Sequence, residues 1–148
     1  MNRRELLGFM RARRYAVVAT TSPTGYPHAA VVGVAITDTF EIIFDTLDST
    51  RKMADLRANG RAAFTFGSLE DKTATTLQLE GEGVEPLDAE RERVVAAYLR
   101  TFPDGRERQK WPGITYVCVA PHWLRFSDFS GAVPHIVELD RTGIVHLP

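Results

Sequence analysis

The chain has 148 residues, of which 44% are hydrophobic, and its formal net charge is -1. This length and hydrophobic content suit one soluble domain, residues 1–148, with a core of its own, and they exclude a disordered or disulfide-stapled fragment. The balanced charge gives no general electrostatic reason to expect a nucleic-acid or membrane partner.

The N-terminal segment predicts a short helix. Asn2 and Glu5 form a capping-box pattern, and the helix extends to about Arg13. Arg11, Arg13 and Arg14 interrupt the apolar stretch, so this segment is neither a signal peptide nor a membrane span. A cytoplasmic protein is therefore expected.

Three strands rich in β-branched residues are predicted next. Pro23 and Gly25 supply the turn between the first two, because proline fixes one backbone angle and glycine permits unusual ones. The strands are YAVVATT (15–21), HAAVVGVAI (28–36) and FEIIFDT (40–46).

A second helix is predicted directly after the third strand. Asp48–Thr50 offers N-cap oxygens, Met53 and Leu56 form one apolar face, and Asn59–Gly60 is a C-terminal stop.

The first turn of this helix carries two cations, Arg51 and Lys52. The helix macrodipole favours anions there, so two cations cost roughly a few tenths of a kcal/mol or more if the end holds no anion. Free helix N–H groups, adjacent hydroxyls and two cations together would bind a phosphate or a similar dianion. The alternative is that both are solvated surface side chains.

The second half of the chain predicts more strands, one long helix and a less certain tail. Asp88 is expected to cap the helix DAERERVVAAYLRTF, which Pro103 and Gly105 end. The tail, residues 131–148, is expected to form a small hairpin around Asp140–Gly143. The strands are RAAFTF (61–66), a long strand (73–84) after the polar connection GSLEDK, ITYVCVA (114–120) and HWLRFSD (122–128).

Strands outnumber helices and most connections are short. This pattern predicts a mainly β fold, a closed or partly closed antiparallel barrel with helices packed outside it.

No motif in the sequence supplies a protein nucleophile or a metal site. G-x-S-x-G, P-loop and H-E-x-x-H motifs are absent, and the only cysteine, Cys118, lies in the apolar run TYVCVA, where a buried and inert thiol is expected. His28, His122, His135 and His146 lack metal-ligand spacing. If the protein is an enzyme, a cofactor carries its chemistry.

The segment FDTLDSTRKMADLRANGRAAFTF, residues 44–66, resembles the flavin-binding segment of the pyridoxamine 5'-phosphate oxidase-like family, the FMN-binding split barrels. In that family an S-R-K-like cluster opens the helix, and an N-P-R-like turn, here Asn59–Arg61, precedes the next strand. ATTSPTGYPHAAVV resembles the family's first hairpin, and LQLEGEGVEP resembles its glutamine-bearing strand. The resemblance covers residues 15–128 and implies a split β-barrel.

The resemblance implies cofactor-binding roles for eight residues. Arg51 and Lys52 would bind the FMN phosphate, with help from the Thr50 hydroxyl. Thr46 would contact the flavin or its ribityl chain. Gln78 would reach the cofactor, or is instead a polar residue on a solvent-facing strand. The isoalloxazine ring would be lined, largely through backbone groups, by Ala30, Val31 and Val32.

The resemblance also implies a homodimer that binds flavin between its subunits. The favoured function is an FMN-dependent oxidoreductase that passes a hydride or electrons between reduced flavin and a small organic acceptor. A non-catalytic flavin-binding sensor or storage module is the alternative, and related barrels bind deazaflavin F420 or haem. Haem is least favoured, because no histidine has an argued axial position.

Departures from the family pattern argue against oxidation of pyridoxamine phosphate itself. The family's oxidases have a lysine late in the second strand that grips the substrate phosphate, whereas Gly33 or its neighbours stand there in this chain. The basic substrate-binding residues between the later strands are missing as well.

Overall fold

One antiparallel sheet dominates the fold in a computed structural model that describes residues 1–67 and 74–148. Within these residues there are eight strands: β1 (Tyr15–Thr21), β2 (Pro27–Gly33), β3 (Ala35–Ile36), β4 (Ile42–Leu47), β5 (Arg61–Phe66), β6 (Thr75–Val84), β7 (Ile114–Asp128) and β8 (His135–Asp140). The helices of the same residues are α1 (Arg3–Ala12), α2 (Arg51–Asn59), α3 (Asp88–Thr101), α4 (Gly105–Arg108) and α5 (Arg141–Val145).

The strands follow the order β2-β1-β5-β6-β7-β4-β3, and β8 pairs with β7. Each of these pairings is antiparallel. The sheet curls into a half-barrel with flanking helices, which confirms the predicted split β-barrel. None of the helices in residues 1–67 and 74–148 is long and apolar enough to cross a membrane.

The main core lies between the inner face of the sheet and the apolar faces of α1 and α2. Leu6 and Met10 of α1 and Met53 of α2 are buried there against aromatic strand residues such as Phe64. The predicted capping box of α1 is present, with Asn2 and Glu5 each bonding the other's backbone N–H.

A second cluster lies under α3, where Val94 and Tyr98 pack on the sheet. Cys118 belongs to this cluster, and burial raises the pKa of its thiol to about 12. The predicted inert cysteine is confirmed, because a thiol of that pKa stays protonated at neutral pH.

Two strand boundaries differ from the prediction. The stretch 28–36 divides, because β2 pairs with β1 whereas β3 pairs with β4. The stretches 114–120 and 122–128 form the single strand β7, and Pro121 pairs with Gly81 at a shift of register between Glu80 and Gly81. A bulge of this kind accommodates a proline within a strand.

The predicted cap of α3 and the predicted tail hairpin are wrong. Leu87 holds the N-cap position without a side-chain cap, and Asp88 is the first helical residue, at φ 51. In the tail, β8 pairs with the second half of β7, and α5 begins where the hairpin turn was expected. Strand β4 pairs only with residues 114–119 of β7. The same edge of β7 is therefore open at residues 123–128, where β8 pairs with it.

The long strand predicted over 73–84 begins at Thr75 in the structure. Thr73 and most of the GSLEDK connection lie outside the described residues.

Candidate functional site

Helix α2 is fixed at both ends. Gly60 ends it in the left-handed conformation, φ 69, and donates its N–H to the Leu56 carbonyl at 2.7 Å, which confirms the predicted stop. In its last turn, Arg57 donates hydrogen bonds to the carboxylates of Asp48 and Glu85. The contact with Asp48 ties the last turn of α2 to the chain just beyond β4.

A groove of about 280 Å³ lies between the first turn of α2 and strands β1 and β2. It brings together four of the eight predicted cofactor-binding residues. Its lining residues are Val18, Thr20, His28, Ala29, Ala30, Thr50, Arg51 and Lys52.

Neither cation of the groove is directly paired with another side chain of the described residues. Within the described part of the chain, neither Arg51 nor Lys52 makes an ion pair or a side-chain hydrogen bond. Partial burial lowers the pKa of the Lys52 ammonium, because the charge loses water without gaining an anion. A phosphate in the groove would supply that anion.

The N-cap of α2 leaves backbone donors available as well. Thr50 holds the N-cap position, but its side chain makes no cap, so the predicted side-chain capping by Asp48–Thr50 is wrong. The Thr50 hydroxyl donates to the Leu47 carbonyl instead, at 2.9 Å. The N–H groups of Arg51 and Lys52 have no acceptor among the described residues, so they remain free to donate to an anion at the helix start.

Thr46 lies behind Thr50 rather than in the groove. It is buried, and its hydroxyl oxygen is 3.3 Å from that of Thr50. Thr46 therefore contacts Thr50, which lines the groove, but does not line the groove itself. Its direct contact with a flavin stays a prediction.

The three predicted residues of β2 have different surroundings. Ala30 lines the groove, whereas Val32 is buried in the core. Val31 points away from both, and 69% of its side chain surface is exposed.

Gln78 is on the outer face of the sheet, away from the groove. It pairs with Thr65 of β5, which pairs with Val17 of β1, whose other partner is Val31. Gln78 and Val31 are thus three strand spacings, roughly 14 Å, apart in one transverse row. The structure does not bring Gln78 to the groove of its own chain.

A buried polar network under the groove escaped the sequence analysis. Asp55 of α2 is 3% exposed, and its Oδ2 accepts a hydrogen bond from the Thr20 hydroxyl at 2.7 Å and lies 2.7 Å from Nδ1 of His28. Burial alone would raise the pKa of Asp55, but the hydrogen bonds from Thr20 and His28, aided by the charge of Arg51, hold it below its ordinary value. Asp55 is therefore a buried carboxylate that stays ionised at neutral pH.

The residues of the groove fit a phosphate group. Two unpaired cations, two free backbone N–H groups and a hydroxyl lie at the positive end of one helix. Among the described residues there is no cluster of histidine, cysteine and acidic side chains that could hold a metal ion.

The sequence matches a known family, described as Pyridoxamine 5'-phosphate oxidase, over residues 3–128. No curated protein matches it significantly. The fold is similar to that of a protein related to general stress protein 26 of B. subtilis (pyridoxinephosphate oxidase family) from Clostridium acetobutylicum. The TM-score is 0.72 and the identity 19%, and the match covers 96% of each chain.

Two other solved structures differ in what they bind. A pyridoxamine 5'-phosphate oxidase-related, FMN binding protein from Nostoc punctiforme matches with a TM-score of 0.68 and 14% identity, over 94% of this chain and 84% of that one. A heme binding protein from Mycobacterium smegmatis matches with a TM-score of 0.78 and 15% identity, over 93% of this chain but only 57% of that one. This chain therefore spans little more than half the length of the mycobacterial protein, and identities this low show the fold alone.

Proposed function

Because the chain belongs to the pyridoxamine 5'-phosphate oxidase family, we propose that it binds FMN, with the flavin phosphate at the start of α2. We further propose that it is an oxidoreductase acting on a small organic molecule. The observation that carries the proposal is Lys52, a partly buried cation that no described residue neutralises. FMN also has the right chemistry, since it combines a phosphate with a flat ring that can lie along a strand.

Each part of the groove has a role in this proposal. Arg51 and Lys52 would neutralise the phosphate, and the free N–H groups of the first turn would bind its oxygens. The Thr50 hydroxyl would join them by turning its proton from the Leu47 carbonyl to the phosphate. The backbone of β2 at Ala29 and Ala30 lies where the ring would extend from the phosphate. Bound flavin would supply hydride and electron transfer, for which the protein provides position and electrostatics.

The proposed active form is a homodimer. The outer face of β1 and β2 exposes Tyr15, Val17 and Val31, with 63%, 39% and 69% of their surfaces accessible, and such a row of apolar side chains is typical of an interface. Gln78 faces the same side but not its own groove. If Gln78 contacts a flavin, it therefore contacts the flavin held by the second subunit.

The proposal excludes pyridoxamine phosphate as the substrate. Gly33 or its neighbours stand where the family's oxidases have a phosphate-gripping lysine, and a Cβ added at Gly33 would lie 2.9 Å from the Phe102 ring. A lysine would thus require Phe102 to move. Release of pyridoxal phosphate in an oxidase assay would contradict this exclusion.

Haem is the second candidate ligand, because the mycobacterial structure that this fold resembles is a heme binding protein. F420 stays open on chemical grounds, since it also combines a flavin-like ring with a phosphate. A non-catalytic flavin sensor or storage protein stays the alternative function. Location in the cytoplasm and the absence of nucleic-acid partners belong to the same proposal, and the balanced charge supports the second of these.

The absorption spectrum of the purified protein, before and after addition of each ligand, tests the proposal. FMN, F420 and haem have distinct bands, and we expect those of FMN. A protein that ignores added FMN would refute the proposal. Turnover of NAD(P)H by the FMN-loaded protein, with a screen of small acceptors, then separates an enzyme from a sensor.

A further inference from the structure

His28 lines the same groove as Arg51 and Lys52 but is tied to a different part of the fold. Its Nδ1 is 2.7 Å from the buried Asp55 carboxylate, which also accepts the Thr20 hydroxyl. A carboxylate in this position keeps a proton on Nδ1 and fixes the orientation of the ring. The ring nitrogen left for a ligand is therefore Nε2.

Nε2 of His28 has no hydrogen-bond partner within residues 1–67 and 74–148. In the neutral ring, with its proton on Nδ1, Nε2 presents a lone pair to the groove. In the protonated ring it presents an N–H and the ring carries a positive charge. A phosphate oxygen is attracted by the second form and repelled by the first.

We propose that His28 is a protonation-dependent ligand of the phosphate bound at the start of α2. This inference rests on the proposed function, because it assumes that Arg51 and Lys52 hold a phosphate. The groups that face His28 are the Asp55 carboxylate and the Arg51 and Lys52 cations of α2, and the Thr20 hydroxyl of β1.

The charge balance of the groove supports this role. A protonated His28 would have two cations nearby, but the ionised Asp55 in direct contact offsets part of that repulsion. A phosphate dianion in the groove offsets the rest. Retention of the phosphorylated cofactor should therefore be stronger when the His28 ring is protonated than when it is neutral.

Two variants separate the two ends of the ring. His28→Asn keeps an N–H donor near Asp55 but removes the group at Nε2. His28→Gln places an uncharged N–H donor near the Nε2 position, so its contact with phosphate does not depend on pH. Both should be checked for folding by thermal melting.

The experiment measures the dissociation constants of FMN and of riboflavin, which lacks the phosphate, at about pH 6 and about pH 8. We expect wild type to bind FMN about tenfold more tightly than His28→Asn at the lower pH, and the two to converge at the higher pH. Riboflavin should bind both proteins equally. The FMN phosphate itself loses charge near about pH 6, but this affects all proteins alike and cancels in the ratio.

Two results would overturn the role of His28 while leaving the FMN site intact. One is a ratio of wild-type to His28→Asn affinity for FMN that is constant with pH. The other is an affinity for riboflavin that falls in His28→Asn as much as the affinity for FMN does. The ratio of His28→Gln to His28→Asn affinity for FMN should be constant with pH, and a ratio that varies with pH would also overturn the role of His28. If His28→Asn does not fold, the ratio of wild-type to His28→Gln affinity for FMN decides, and it must rise as the pH falls. Failure of wild type to bind FMN at either pH would instead refute the proposed function together with this inference.

Discussion

Lys52 is the residue on which the phosphate site most directly depends. Its ammonium is half-buried at the positive end of a helix dipole, and none of the described residues compensates it. Such a position is unfavourable for the empty protein and favourable once an anion binds. The same side chain should therefore influence stability and affinity in opposite directions.

Replacing Lys52 with alanine should lower FMN affinity roughly ten- to a hundredfold, because it removes a charge-assisted contact of about 1.5–3 kcal/mol. The empty protein should lose little stability, or gain slightly. Excess FMN should raise the melting temperature of wild type more than that of the variant. Lys110→Ala, at an exposed lysine paired with Glu107, is the control and should change neither property. A destabilised Lys52→Ala protein with normal FMN affinity would show that Lys52 is structural.

Asp55 gives stability a specific pH dependence. Its native pKa is below the ordinary value of 3.8, so the unfolded chain takes up a proton first as the pH falls. The stability it contributes is complete above that ordinary value and is lost as the pH falls through the native value. Asp55→Asn should cost about 1–3 kcal/mol at neutral pH. Urea unfolding should show this difference from wild type shrinking in acid, and a difference that is constant with pH would contradict the assignment.

Sequence reasoning found the cations of the site but not the network beneath them. Arg51 and Lys52 carry an obvious signal, two positive charges where a helix favours negative ones. Asp55 carries none, because it lies beside Leu56 on the helix but off the face that Met53 and Leu56 share. Asp55 is buried because β1 and β2 pack on the side of α2 that carries it. Helical periodicity in the sequence does not predict which strands pack on that side.

At the scale of elements, the end of α2 is the best-predicted boundary. Asn59–Gly60 signals a stop, and the structure has Gly60 in the left-handed conformation that other residues rarely adopt. By contrast, the sequence predicted a break at Pro121, because proline normally interrupts a strand. The bulge that allows β7 to continue involves Gly81, which is far away in the sequence and comes opposite Pro121 only in the folded sheet.

Two glycine substitutions should have opposite effects on stability. Gly60→Ala should destabilise the protein by about 1–2 kcal/mol, because alanine is strained at φ 69 and its Cβ would lie 3.1 Å from the Glu82 carboxylate. Gly8→Ala, inside α1 with open space around the new Cβ, should stabilise it by up to about 1 kcal/mol. Chemical denaturation of both variants measures the signs. Stability changes of the same sign in both variants would contradict the explanation that Gly60 is required for its left-handed backbone conformation.

At the scale of the whole molecule, the outer face of β1 and β2 is the surface through which we propose that the chain dimerises. Val31→Arg places a charge in the centre of that face and should convert the proposed dimer to a monomer, measured as a halved mass by light scattering. FMN affinity should fall with it, because in the proposed dimer the second subunit would complete the cofactor site. Val133→Arg, at a similarly exposed valine in the connection between β7 and β8, is the control and should leave the mass unchanged. A monomeric wild type would refute the proposed interface.

The position of β4 in the sheet has a consequence for biosynthesis. The strand that leads into α2, β4, has only the two-residue β3 on one edge, and on the other it has β7, which begins 67 residues after β4 ends. A ribosome-bound chain that already contains α2 still lacks the strand that supports it, and such distant pairings form slowly. Strand β4, and with it the entry to α2, therefore gains its long partner only after β7 has emerged from the ribosome exit tunnel. Loading of the proposed cofactor would thus follow translation and act on a nearly finished apoprotein.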